Sequence, residues 1–387
     1  MSWPDPLIDD DGTAVSSPDA WRRRRAQLIR HFEDSVYGPF PREPQATTVR
    51  PAAGPQPAFD GRATLEELRI ITSAPDASFH LLLVTPARLE APAPLFLAAN
   101  FFGNHRVLAD PAIAIADLPE PARPAGQDPT QRGAEATAWD VEQTLAAGYA
   151  FATFCMSEVV PDDAALARDP LARFASDRGE TGAFSVWAWL FSCCVDVLTV
   201  HPRVDADRIV ALGHSRLGKT ALWATAMDER IAAVIPSQSG VGGAAPSRTA
   251  PELAVVQADG RPIAETVDAI TSRFPHWFSP AYASFAHRLD DLPVDAHELL
   301  ALCAPRPVLL SNAVDDLWAD PVGQFDSLRR ADAVYRLLDA EGLATEHLPQ
   351  VAGSSDGRLG YSLRAGGHSL AAEDWPGWRA FADRWLG

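Results

Sequence analysis

The stretch 208-RIVALGHSRLGKTALW-223 decides how this chain is read. RIVALGHS is a short apolar run that predicts a strand. RLGKTALWATAM (216–227) carries apolar residues at helical spacing. Ser215 stands at the junction, with Gly213 before it and Gly218 after it. A serine on a sharp strand-to-helix turn exposes its Oγ. The N–H of the next residue then opens a helix, where unpaired amides stabilise a developing oxyanion. The match to G-x-S-x-G is imperfect: Leu217 occupies the second glycine position and Gly218 follows one later. A plainer reading makes Ser215 a helix cap. The same stretch holds Lys219, the single lysine among 33 basic residues.

Outward from this turn the pattern alternates. Strands are predicted at 147–156, 208–215, 232–240, 306–314 and 343–349, and helices at 182–199, 216–227, 323–340 and 373–386. Short apolar strands between amphipathic helices define an α/β fold: a doubly wound, mostly parallel sheet with helices on both faces. Upstream, 63–73, 78–86 and 94–102 read as three more strands. Residues 1–60 read as an N-terminal extension with one helix, Trp21, Leu28, Ile29 and Phe32 marking its apolar face and the arginine run a solvated one. Segments 102–140 and 241–305 read as long insertions into a single domain, placed to shape a cleft.

Composition narrows the function. The 387 residues are 47% hydrophobic, ample for a large core, and carry a net charge of −18, which opposes nucleic acids and anionic membranes. Cys155, Cys193, Cys194 and Cys303 show no CxxC spacing and read as buried free thiols. The N-terminus lacks a charged segment followed by an apolar one, so the chain is expected to be soluble and cytoplasmic, or secreted or periplasmic where a leader has been removed. A monomer without metal or organic cofactor is expected.

A nucleophilic serine needs a base and an acid. In α/β-hydrolases these follow in the order Ser, acid, His. His368, in the Gly-rich RAGGHSL after the last strand, is the expected base. His347, inside a predicted strand, and His297, at a helix start, are expected to be structural. The acid should follow the strand at 306–314. Asp316 is taken first and Asp315 second, while Asp320, just before Pro321, reads as a turn or cap.

With these residues placed, the sequence resembles the glucuronoyl esterases, carbohydrate esterase family 15, whose elbow reads G-C-S-R-x-G-K. His214 stands where fungal members have Cys, as in bacterial relatives. The resemblance runs from about residue 20 to the C-terminus and includes NFFGNH (100–105), SGVGGAAPSR (239–248), FPHWF (274–278), LPVDAHEL (292–299), APRPV (304–308), DDLWADP (315–321) and GGH (366–368). It implies an α/β-hydrolase that cleaves the ester between (4-O-methyl-)glucuronic acid of xylan and a lignin alcohol. Ser215 would be nucleophile and His368 base. Arg216 would hold the oxyanion through its N–H and side chain, with a second donor near Phe101–Phe102. Lys219 matches a lysine that bonds sugar hydroxyls, Trp318 a tryptophan lining the sugar site, and Glu265 a glutamate contacting the sugar.

One departure is informative. Many members carry their acid as Glu directly before the SG of S-G-x-G-G, and here that residue is Gln238. An amide can orient an imidazole but cannot balance an imidazolium, so the acid falls to Asp316, and Gln238 is grouped with the substrate-side residues. An acetyl (xylan) esterase and a non-catalytic carbohydrate-binding homologue are the competing readings.

Overall fold

The computed structural model describes residues 3–41, 46–73, 75–250, 252–257, 260 and 262–387. The elbow sits at the centre of a ten-stranded sheet. Its strands are β1 Ala46–Ala58, β2 Ala63–Ser73, β3 Ala77–Pro86, β4 Ala93–Asn100, β5 Ala150–Cys155, β6 Val204–His214, β7 Ala233–Ser237, β8 Val308–Ala313, β9 Gly353–Ser355 and β10 Leu359–Arg364. The order is β1-β2-β3-β5-β4-β6-β7-β8-β10-β9. From β5 through β4, β6, β7 and β8 to β10 every pairing is parallel, and the outer strands pair antiparallel.

The parallel strands are buried on both faces, which is why they read as continuous apolar runs. In β4, Leu95, Leu97 and Ala99 enter one core, and Phe96 and Ala98 enter the other. The first core is covered by α1 (Pro18–Phe32), α2 (Ala183–Leu198), α3 (Arg216–Met227) and α4 (Pro321–Leu337). The second is closed by Trp375, Trp378 and Phe381 of α5 (Trp375–Leu386). All four cysteines are buried and free. No helix among the described residues is long and apolar enough to cross a membrane.

Three sequence expectations are corrected. Within 1–60, β1 is a strand, not extension. It lies on the sheet edge, the place in a sheet that tolerates proline, and carries Pro51, Pro55 and Pro57; its register shifts at Pro51/Ala53 and again before Gln56. Residues 343–349 form no strand, and only Leu343 bridges Leu359. The place beside β8 belongs to β10, whose Leu359, Tyr361 and Leu363 are buried, and His347 is exposed. In the arginine run, Arg22 and Arg23 are solvated, but Arg24 is 5% exposed and pairs with Asp10 at 2.6 Å.

The turn between β6 and α3 is closely packed. A Cβ on Gly213 would run into the Leu217 carbonyl, and one on Gly218 would lie 3.0 Å from the Ser237 carbonyl. Leu217 is fully buried in the core, so the close approach to β7 falls one residue later than the usual pattern places it. Gly213→Ala is therefore expected to lower stability by roughly 1–3 kcal/mol, because the obstacle is main chain that cannot rotate away. Urea unfolding of the variant, with a midpoint equal to wild type, would contradict this packing.

Candidate active site

Ser215 has φ 58° and ψ −127°, a conformation that residues with side chains avoid and that costs on the order of 1–3 kcal/mol. Its N–H donates to the Ser237 carbonyl of the neighbouring strand at 2.8 Å, which holds the turn. Oγ is thereby lifted above the C-terminal edge of the parallel strands, where open α/β sheets place their ligands. Arg216 takes the first helical position, and its N–H has no carbonyl four residues back to serve.

His368 lies on the loop after β10 and its Nε2 is 2.8 Å from Ser215 Oγ. Its Nδ1 is 2.7 Å from Asp316 Oδ2. An ionised Asp316 only accepts, so Nδ1 carries the proton and Nε2 accepts from the serine hydroxyl. Asp316 is 4% exposed and also receives the Ala319 N–H at 3.4 Å. Asp315 is exposed, and its side chain takes no part in this chain of bonds. Asp320 accepts from Gly323 N–H at 2.8 Å and caps α4. His297 is buried, with Nε2 2.8 Å from the Pro4 carbonyl.

His214 packs against His368 with ring centroids 4.7 Å apart. Burial, then the neighbouring positive groups, push its pKa well below the ordinary histidine value, so it stays neutral beside His368.

Phe101, Phe102, Met156, Pro121, Ala122, Arg123 and Ala125 enclose a cavity of about 410 Å³ in front of Ser215, Arg216 and His368. Three side chains hold Arg216 there, and one of them, Asp162, is absent from the sequence expectations. Its guanidinium donates to Asp162 and lies 5.0 Å from the Trp277 ring centroid and 5.4 Å from that of Phe101. Asp162 also receives His276 Nε2 at 3.0 Å and Trp277 Nε1 at 2.6 Å. Burial would raise the Asp162 carboxyl, but these hydrogen bonds and the Arg216 charge hold it down to about 2. His276 and Trp277 lie in FPHWF, one of the resemblance segments, whereas Asp162 sits in no motif and comes close only through folding.

The substrate-side expectations fare unequally. Trp318 is half-buried and lines a separate cleft of about 1040 Å³, with Thr249, Thr266, Arg273 and His287 on its walls. Its carbonyl accepts Glu265 N–H at 2.9 Å, joining it to the Glu265 segment. Lys219 and Glu265 are 2% and 6% exposed and pair at 2.8 Å, and Lys219 Nζ also donates to the Ser239 carbonyl at 2.5 Å. Two of the three ammonium donors are thus used by the protein, and burial lowers the lysine pKa against the pull of Glu265. Gln238 differs most from expectation. It is 1% exposed, lines neither cavity, and spends both amide atoms on the Ser369 main chain.

A parallel sheet with a strained serine turn at its centre defines an α/β-hydrolase. Residues 129–339 match the family model described as glucuronyl esterase, fungi. The chain is 36% identical to a carbohydrate esterase of an unknown prokaryotic organism over 98% of its own length and 88% of that protein's. A 4-O-methyl-glucuronoyl methylesterase of Wolfiporia cocos is 27% identical over 87% of this chain and 72% of its own. The solved glucuronoyl esterase of Solibacter usitatus superposes with a TM-score of 0.89 at 34% identity, covering 100% of this chain and 98% of that one. The chain belongs to the glucuronoyl esterase family, carbohydrate esterase family 15, a family of carboxylic ester hydrolases.

Two outcomes test the electrostatics. Lys219→Met strands the Glu265 carboxylate in the interior and should cost about 3–5 kcal/mol, with Lys219→Met/Glu265→Gln recovering much of the loss in chemical denaturation. Asp162 has a folded pKa below the ordinary 3.8, so the stability it contributes is present above that value and lost as pH falls through about 2. Asp162→Asn should therefore be destabilised by about 2 kcal/mol near neutrality, the gap closing toward pH 2. A gap in Tm that does not change with pH would be inconsistent with the ionised carboxylate.

Proposed function

We propose that this protein is a serine esterase hydrolysing esters of (4-O-methyl-)glucuronic acid, as in the glucuronoyl links between xylan and lignin, through a Ser215–His368–Asp316 triad. The observation that carries the reading is the unbroken path from Asp316 Oδ2 through His368 to Ser215 Oγ, at 2.7 and 2.8 Å, on a family-type elbow.

His368 takes the hydroxyl proton as Oγ attacks the ester carbonyl, and Asp316 steadies the imidazolium that forms. The tetrahedral oxyanion meets the Arg216 N–H at the start of α3, with the guanidinium held at the cavity edge by Asp162 adding a positive charge. His368 then protonates the leaving alcohol and activates the water that cleaves the acyl-enzyme. The wall of Phe101, Phe102 and Met156 on one side of the cavity suits a hydrophobic alcohol. The uronate ring is assigned to the Trp318 side. Behind that side the buried Lys219–Glu265 pair holds the segment whose Glu265 N–H bonds the Trp318 carbonyl.

Hydrolysis of benzyl glucuronate compared with nitrophenyl acetate tests the assignment. The uronate ester should be preferred in kcat/KM, Ser215→Ala should abolish turnover of both, and Asp316→Asn should lower kcat by about 10⁴-fold. Preference for the acetate would favour an acetyl esterase, and no turnover of either ester would favour a binding protein.

A further inference from the structure

The loop that presents His368 is tied from two directions. Arg364, ending β10, donates to the carbonyls of Ala365 at 2.8 Å, Gly367 at 3.3 Å and Ser369 at 2.8 Å, and to Ser369 Oγ at 2.9 Å. Its Nε is held by Asp374 at 3.1 Å. The second tie comes from the sheet. Gln238 Oε1 accepts the Ser369 N–H at 3.0 Å, and Gln238 Nε2 donates to the Ser369 carbonyl at 3.3 Å. The carboxamide thus engages one residue's N–H and C=O together, as a neighbouring strand does in an antiparallel pair. The Ser369 N–H is a donor, so the orientation of the amide follows from the bond itself.

Gln238 is rigidly mounted. It is 1% exposed, its φ is 49°, and its own N–H donates to the Ser311 carbonyl of β8 at 2.9 Å. The residue before it, Ser237, supplies the carbonyl that holds Ser215 N–H. Two consecutive residues therefore fix the main chain of the serine and the main chain next to the histidine. A left-handed φ in a residue with a side chain marks a position held by its surroundings. An ionised glutamate there would keep the bond from Ser369 N–H but set a charge against the Ser369 carbonyl. Apolar side chains would make neither bond.

We propose that Gln238 is a positioning residue that clamps the His368 loop onto the sheet, keeping Nε2 within reach of Ser215 Oγ, and that this clamp requires an amide. The proposal rests on the reading of Ser215 and His368 as nucleophile and base. It gives Gln238 a role distinct from both sugar binding and the catalytic acid.

The test uses a readout independent of the substrate: the rate at which a fluorophosphonate labels Ser215. It is followed by kcat and KM on benzyl glucuronate across pH. Gln238→Ala should be labelled about 10- to 100-fold more slowly, with kcat falling in parallel and KM nearly unchanged, while thermal unfolding stays cooperative. Gln238→Glu supplies the discriminating pH profile. Its protonated carboxyl can donate and accept as the amide does, whereas the carboxylate cannot donate. The ratio of Q238E to wild-type rate should therefore fall as pH rises through the titration of that carboxyl. Labelling of Gln238→Ala at the wild-type rate, or a Q238E ratio that stays constant with pH, would overturn the clamp alone. Rescue of Asp316→Asn by added Gln238→Glu would also overturn it, by showing that this side chain reaches the imidazole. Failure of wild-type Ser215 to be labelled would remove the nucleophile reading and the clamp with it.

Discussion

Ser215 holds a backbone conformation, φ 58° and ψ −127°, that is tolerated only where the surroundings enforce it, and the centre of the sheet supplies that enforcement. The Ser237 carbonyl takes its N–H, Gly213 lets the helix start fold back onto the strand, and Gly218 lets that helix lie against β7. Leu217, buried between them, drives the turn closed through the core. The strain has a geometric return: a short side chain stands clear of the sheet edge with a helix N-terminus at its back. The register of β6 against β7, which pairs His214 with Ser237, is therefore a functional constraint as well as a structural one.

Around this turn the charges are arranged by burial. Lys219 and Glu265 are withdrawn from solvent and satisfy each other, together with the Ser239 carbonyl and the Val241 N–H. Such a pair adds little net stability over apolar residues, but it fixes the 239–241 segment in one arrangement. Arg216 is treated differently. Its side chain remains 31% exposed, flanked by Trp277 and Phe101 and anchored by Asp162, so its charge faces the cavity with a defined orientation. A neutral His214 adds no positive charge beside the His368 ring.

Much of this was legible before folding. The central strands are apolar throughout because they are covered on both sides, and that composition is visible in the sequence. Ser215, Asp316 and His368 stand out because each follows a strand in the order the fold requires. β1 was not legible: an exposed edge strand with three prolines has no hydrophobic alternation to detect. The runs 343–349 and β10 are both short, and only the ladder with β8 decides between them. Asp162 could not be found from spacing, since its partners Arg216, His276 and Trp277 come from distant parts of the chain.

The sequence by itself determined the alternation of elements, the elbow, the chain order of Ser215, Asp316 and His368, and the family to which the chain belongs. These are local patterns or short motifs, and local chemistry writes them directly into the chain. The tertiary structure decided what the polar residues near the elbow are free to do. A lone lysine became half of a buried pair, and the Gln238 amide became a two-point tie on the loop that carries His368. Both outcomes depend on which main-chain groups the packed sheet brings within hydrogen-bond reach, and that information exists only after distant segments have met.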